Sequence, residues 1–81
     1  MNCRITVTDF VEQGTAVYIK IEVYDHQKNH QYQEELRFLG EMLYGELVHP
    51  KKSPLTEECR LEVIAYLRRY FGRYTSPTSK L

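Results

Sequence analysis

Two runs of alternating apolar and polar residues flank one glycine near the N-terminus, and they restrict the possible folds more than any other feature. Their apolar members are Cys3, Ile5 and Val7 before Gly14, and Val17, Ile19, Ile21 and Val23 after it. Period-two alternation of β-branched residues around a tight turn predicts an antiparallel β-hairpin. Gly14 suits the turn because glycine tolerates the positive φ that a short loop requires.

The spacing of the apolar residues changes after the polar segment 25–30. Apolar side chains then recur at three- and four-residue steps, at Tyr32, Leu36, Leu39, Leu43 and Leu47. This spacing predicts one face of an α-helix with Asn29 as its N-cap. Residues 31–38 also alternate loosely, so the alternative is a short third strand followed by a shorter helix.

A connector with two prolines, residues 49–54, separates this segment from a second predicted helix. That helix is capped by Ser53 or Thr56 and ends at Gly72. Its apolar arc holds Cys59, Val63, Tyr66, Leu67, Tyr70 and Phe71. Residues 75–81 are expected to form a flexible C-terminal tail.

The fold class expected from these elements is α+β, in the order β-β-α-α. A chain of 81 residues forms a single small domain, here residues 1–74. Because a two-stranded hairpin is marginally stable alone, both helices are expected to lie across its Ile/Val face. The outer face of the hairpin then carries Tyr18, Lys20 and Tyr24, with Phe10 as a further candidate.

Net charge is zero, which argues against a protein built mainly to hold nucleic acid. The charge is nevertheless uneven. Residues 1–50 hold four Lys/Arg and eight Asp/Glu, whereas residues 51–81 hold seven Lys/Arg and three Glu. Such asymmetry favours an electrostatic surface, or the packing of one copy against another. No apolar run approaches the roughly 20 residues of a membrane span and no signal-peptide core is present, so a cytoplasmic location is expected.

No arrangement of residues typical of an active site, a cofactor site or a metal site stands out, so we expect a non-enzyme without cofactor or metal. His26 and His30 are four residues apart and would project together only from a helical turn, and two ligands do not make a metal site. Cys3 and Cys59 are expected to be small buried core residues. The alternative for the two cysteines is a shared metal site or a redox pair.

Seven tyrosines and three phenylalanines exceed what so small a core can absorb, and tyrosine is well suited to interfaces. The predicted partner-binding residues are Tyr18, Lys20, Tyr24, Arg69, Arg73 and Tyr74. We therefore predict a small regulatory or inhibitory protein-binding module that acts by steric occupation of a larger protein. In its organisation the chain resembles the small accessory proteins of phages and mobile elements, many of which work in this way.

The alternative is a dimeric nucleic-acid-binding regulator that uses a basic C-terminal helix. It would present Lys51, Lys52, Arg68, Arg69 and Arg73 to phosphates. This hypothesis needs those side chains on one continuous face. On a helical projection Arg68 lies about 100° from Arg69, which counts against it.

Overall fold

The computed structural model describes residues 3–75, and it describes side chains as far as residue 71. Four antiparallel strands form one sheet in the order β1-β2-β3-β4. They are β1 (Cys3–Gln13), β2 (Ala16–Asp25), β3 (His30–Leu39) and β4 (Met42–Tyr44). A 3-10 turn (Glu46–Val48) and the helix α1 (Glu57–Thr75) follow. The expected α+β class is confirmed, but a single α-helix is present among the described residues.

The predicted N-terminal hairpin is confirmed. Gln13 pairs with Ala16, which leaves Gly14 and Thr15 as a two-residue loop. Gly14 has a φ of 60°, a conformation that costs a glycine little. Val17, Ile19, Ile21 and Val23 are all buried, and they lie on the face of β2 that the pattern indicated.

A bulge in β1 changes which residues its second half turns inward. The pairing with β2 shifts between Val7 and Asp9, and the Thr8 hydroxyl donates to the Lys20 carbonyl over 3.2 Å. Beyond the bulge Phe10 is opposite the buried Ile19, so Phe10 lies on the inner face and not on the outer one. Its ring contacts Phe71 of α1 edge-on, with 5.1 Å between ring centroids.

The long helix predicted from Tyr32 is wrong, and the alternative of a third strand is correct. β3 is ten residues long and pairs with β2 along its whole length, from Asp25 opposite His30 to Ala16 opposite Leu39. A strand here satisfies the backbone groups along the second edge of β2, whereas a helix would leave that edge unpaired. Neither does an α-helix follow, because Gly40 and Gly45 adopt positive φ values of 61° and 151°. Asn29, the predicted N-cap, is instead a loop residue with a φ of 53°.

Thr56, one of the two predicted N-caps, caps the start of helix α1. The Thr56 hydroxyl accepts a hydrogen bond from the Cys59 amide over 3.3 Å. The helix continues through Gly72 to Thr75, so the predicted end at Gly72 is wrong. Its buried stripe is Cys59, Val63, Leu67 and Phe71. Tyr70, expected in the core, is 50% exposed. Apart from Thr75, the predicted tail lies outside the described residues.

A buried carboxylate ties the start of α1 to the loop between β2 and β3. Asp25 is fully buried, and its Oδ2 accepts a hydrogen bond from the Thr56 amide over 2.8 Å. Its Oδ1 accepts from the amides of Gln27 and Lys28 over 3.1 and 3.4 Å. Burial raises the pKa of Asp25, but these hydrogen bonds outweigh it and leave the pKa below its usual value. Asp25 therefore fixes the helix on the sheet as a charged group.

All of the packing against the sheet occurs on one face. The core joins the inner side chains of the first three strands to the 3-10 turn and α1 in one cluster. Among the described residues, nothing packs on the opposite face, which we call the open face. No helix in the described part of the chain is long and apolar enough to span a membrane.

Candidate binding surface on the open sheet face

Cross-strand pairing arranges the open face into rows of neighbouring side chains. One row crosses all four strands, because Val11 is opposite Tyr18, Tyr18 opposite Arg37, and Arg37 opposite Tyr44. The next row, at the end of the sheet, contains Leu39 opposite Met42. Residues directly opposite one another in an antiparallel sheet project from the same face, so these side chains are contiguous.

These two rows form an exposed apolar patch. Met42 is 56% exposed, Val11 46%, Tyr44 43% and Leu39 40%. Tyr18 is half-buried between them. The Arg37 guanidinium lies 5.7 Å from the centroid of the Tyr44 ring, within cation–π range. We call Val11, Tyr18, Arg37, Leu39, Met42 and Tyr44 the open-face patch.

Charged and polar rows continue the face away from the patch. Lys20 lies between Asp9 and Glu35 in the adjoining row, with opposite charges alternating across the strands. Glu22 follows on β2 and accepts a hydrogen bond from the Gln33 side chain over 2.8 Å. The open face therefore has an apolar end and a polar end, and the Lys20 row forms the rim between them.

A depression of about 340 Å³ borders the patch at the point where β4 stops. Tyr18, Arg37 and Tyr44 line it from the patch, and His49 and Lys52 line it from the connector. Its floor depends on Gly45, because a Cβ there would lie 2.0 Å from Leu36 Cδ2. The chain can turn under the sheet after β4 only because that position has no side chain.

The structure separates the predicted partner-binding residues. Tyr18 belongs to the open-face patch and Lys20 to its rim. Tyr24 lies on the same face, but it is four residues beyond Lys20, or about 13 Å along the strand. Its hydroxyl contacts the Asn29 side chain and its ring packs on His26, so Tyr24 belongs to the polar end. Arg69 is on α1, which packs on the opposite face of the sheet. The structure does not describe the side chains of Arg73 and Tyr74.

The predicted basic surface is also divided. The Arg68 guanidinium donates to the Glu41 carbonyl over 3.2 Å, at the loop between β3 and β4. Arg69 instead borders a groove with Ile5 of β1, at the other edge of the sheet. Lys51 and Lys52 lie in the connector before α1, where their amides donate to His49 Nδ1. The cations that the structure describes therefore do not form one continuous face.

The histidines and cysteines all have structural contacts. The rings of His26 and His30 pack on Tyr24 and Tyr32 respectively. Among the described residues no group of three or more His, Cys, Asp or Glu side chains could hold a metal ion. The Cys3 thiol donates to Glu62 Oε1 over 3.1 Å and lies 3.8 Å from the Cys59 carbonyl oxygen. Burial raises the pKa of both the Cys3 and the Cys59 thiol, so both stay protonated near neutral pH.

Most of the open-face patch was missed from sequence. Arg37, Leu39, Met42 and Tyr44 fell in the segment assigned to a helix, and Val11 reaches the outer face only through the bulge at Thr8. The signal that could have identified them is Gly40. A glycine between two short runs with strand character is typical of a hairpin loop. Comparison with known proteins adds no assignment, because no protein-family model, curated protein or solved structure matches this chain significantly.

Proposed function

We propose that this chain is a small protein-binding module that regulates or inhibits a larger protein by covering part of its surface through the open-face patch. The observation that carries the proposal is the contiguous exposure of Val11, Leu39, Met42 and Tyr44 around Arg37. Small soluble domains seldom expose adjoining large apolar side chains without a use for them.

The composition of the patch supports a protein partner. Tyrosine, methionine and arginine are enriched at the centres of protein interfaces, and tyrosine and arginine are common among the residues that dominate binding energy. Tyr44 and Arg37 already contact one another and so present a partly pre-organised pair. The alternating charges of Asp9, Lys20 and Glu35 form the polar rim that such interfaces have.

An open sheet face supports steric occupation rather than chemistry. The patch is built on paired strands, so its side chains are held by the ladder and do not depend on a loop closing over a ligand. The depression beside it would receive one protruding side chain of the partner, against Tyr18 and Tyr44. The role of a small accessory protein that blocks a larger one is consistent with such a surface.

The test compares two substitutions that introduce the same charge at exposed positions of the open face. Met42→Asp is at the apolar end and Gln31→Asp is at the polar end, and both residues are exposed. Immobilised wild-type protein and each variant are used to capture proteins from a host lysate, followed by quantitative mass spectrometry. We expect Met42→Asp to reduce the specifically captured protein by tenfold or more, as loss of a central contact does, and Gln31→Asp to keep it.

The proposal fails if Met42→Asp retains full capture while circular dichroism shows both variants to be folded. Arg69→Glu separates the surfaces further. Because Arg69 is not on the open face, its reversal should leave the affinity of a single patch for the captured protein unchanged. Loss of that single-patch affinity with Arg69→Glu alone would instead assign the interface to α1.

The nucleic-acid alternative has less geometric support, because it needs Lys51, Lys52, Arg68 and Arg69 on one face. It is tested directly by fluorescence-anisotropy titration of duplex and single-stranded oligonucleotides at low and physiological salt. Micromolar binding that collapses with salt would favour that alternative over the protein-binding proposal. No binding at low salt would remove it.

A further inference from the structure

The flank of α1 that borders β1 carries a second exposed surface, on the other side of the molecule from the open-face patch. Tyr70 is 50% exposed on it. Glu62, Ala65, Tyr66 and Arg69 line a groove of about 340 Å³ together with Ile5 of β1. Among the side chains of residues 3–71, Arg69 has no hydrogen-bonding or ion-pair partner. We call these helical residues the α1 stripe.

The order of residues along the α1 stripe is self-complementary. Glu62 and Arg69 are equally far from the midpoint between Ala65 and Tyr66, and they lie on the same side of the helix, about 20° apart in projection. If a second α1 lies antiparallel about that midpoint, Glu62 of each copy meets Arg69 of the other. The small side chain of Ala65 leaves room for Tyr66 of the other copy. An isologous interface requires this kind of symmetry.

We propose that a second copy of this chain docks on the α1 stripe, with a two-fold axis between Ala65 and Tyr66. The charges of the stripe favour this occupant over others. Glu62 and Arg69 have opposite signs and lie about two helical turns apart, so a uniformly acidic or basic partner would meet one like charge. An antiparallel second copy meets two opposite charges and no like charge.

The edge of β1 continues the same interface. Ile5 and Tyr66 line one groove, so an axis through the middle of the stripe also passes close to Ile5. In the described sheet β1 has a neighbour on one edge only, and its regular stretch Cys3–Val7 ends at the bulge at Thr8. In the dimer, the β1 edges of the two copies pair antiparallel about Ile5. This pairing joins the two sheets into one eight-stranded sheet. Pairing removes an exposed strand edge that would otherwise invite aggregation.

The experiment measures molar mass by sedimentation equilibrium over a range of concentrations. The wild-type chain is expected to approach about 19 kDa, twice its 9.7 kDa. Arg69→Glu creates two like-charge contacts in the dimer and should weaken dimerisation by roughly 100-fold. Arg69 is exposed, so this change leaves the fold intact. Lys51→Glu, an equal charge reversal in the connector, is the matched control and should keep the wild-type dimer.

A charge exchange provides the decisive variant. Glu62→Arg alone should also give a monomer, but it removes the acceptor of the Cys3 thiol and can act through the fold. The double variant Glu62→Arg with Arg69→Glu exchanges the charges and restores opposite signs across the two-fold axis. It should recover the dimer. A monomeric wild-type chain at the highest concentration or an unchanged dimer with Arg69→Glu would overturn the proposal. So would no recovery in a double variant that circular dichroism shows to be folded. Loss of the dimer with Met42→Asp would assign the contact to the open face instead.

Discussion

Replacement of Gly45 by alanine tests the turn that positions the depression beside the open-face patch. Gly45 has a φ of 151° and a ψ of 154°, a region that only glycine occupies readily, and an imposed side chain costs roughly 1–3 kcal/mol there. The added Cβ would also lie 2.0 Å from Cδ2 of the fully buried Leu36. Overpacking of this kind costs about 1–3 kcal/mol more. The sum, roughly 2–6 kcal/mol, is comparable with the roughly 3–5 kcal/mol that stabilises a domain of this size.

Gly45→Ala should therefore be largely unfolded without stabilising co-solvent, as measured by urea titration followed by far-ultraviolet circular dichroism. Sulfate, which strengthens burial, would bring its unfolding transition into range. Gly40→Ala is the matched control. Gly40 has a φ of 61°, but a Cβ there would meet no atom within 4 Å, so only the backbone cost of roughly 1–2 kcal/mol applies. Equal losses of unfolding free energy in the two variants would refute the close approach of Gly45 to Leu36.

Two further predictions concern buried polar groups. Asp25→Asn should lower the free energy of unfolding by about 1–3 kcal/mol, because an amide cannot accept from Thr56, Gln27 and Lys28 together. Since folding lowers the pKa of Asp25, its stabilisation should be complete above the unfolded pKa near 4 and lost as pH falls through the folded pKa. Urea titrations from pH 7 to 2 should show this loss in the wild type and a smaller one in the variant. Cys3 and Cys59 should react with a thiol reagent at pH 8 only as fast as the protein unfolds, and rapid labelling in buffer would contradict their burial.

The N-terminal hairpin was predictable because its information is local. Alternation specifies which face of β2 is buried, and a one-residue slip would expose Ile19 and Ile21 together. Gly14 then fixes the loop and thereby the register. The bulge at Thr8 was not predictable in the same way. It depends on how β1 pairs with β2, and it turns Phe10 inward against Phe71 of α1, which is 61 residues later in the chain.

The third strand was mistaken for a helix because the two periods coincide in this segment. Tyr32 and Leu36 are four residues apart, which places them on one face of a helix and equally on one face of a strand. Leu39 continues the helical spacing, yet it is 40% exposed on the open face. A strand is favoured because it pairs the second edge of β2, and this requirement arises from tertiary structure. The error also concealed most of the open-face patch, whereas Tyr18 was found from the local hairpin pattern alone.

The two proposed surfaces are compatible, and together they would make the protein bivalent. A two-fold axis beside β1 runs through the sheet, so it leaves both open faces on the same side of the joined sheet. Arg37 is on the third strand from that axis, and strands are about 4.8 Å apart, so the patches are about 24 Å apart across the strands. Along the strands, the row of Val11 lies about five residue steps from Ile5 in each copy. Because the two copies run in opposite directions, these offsets add to roughly 34 Å, and the patches are roughly 40 Å apart in all. Dimerisation would therefore leave each patch unobstructed, and it would act on a partner through avidity rather than through new contacts.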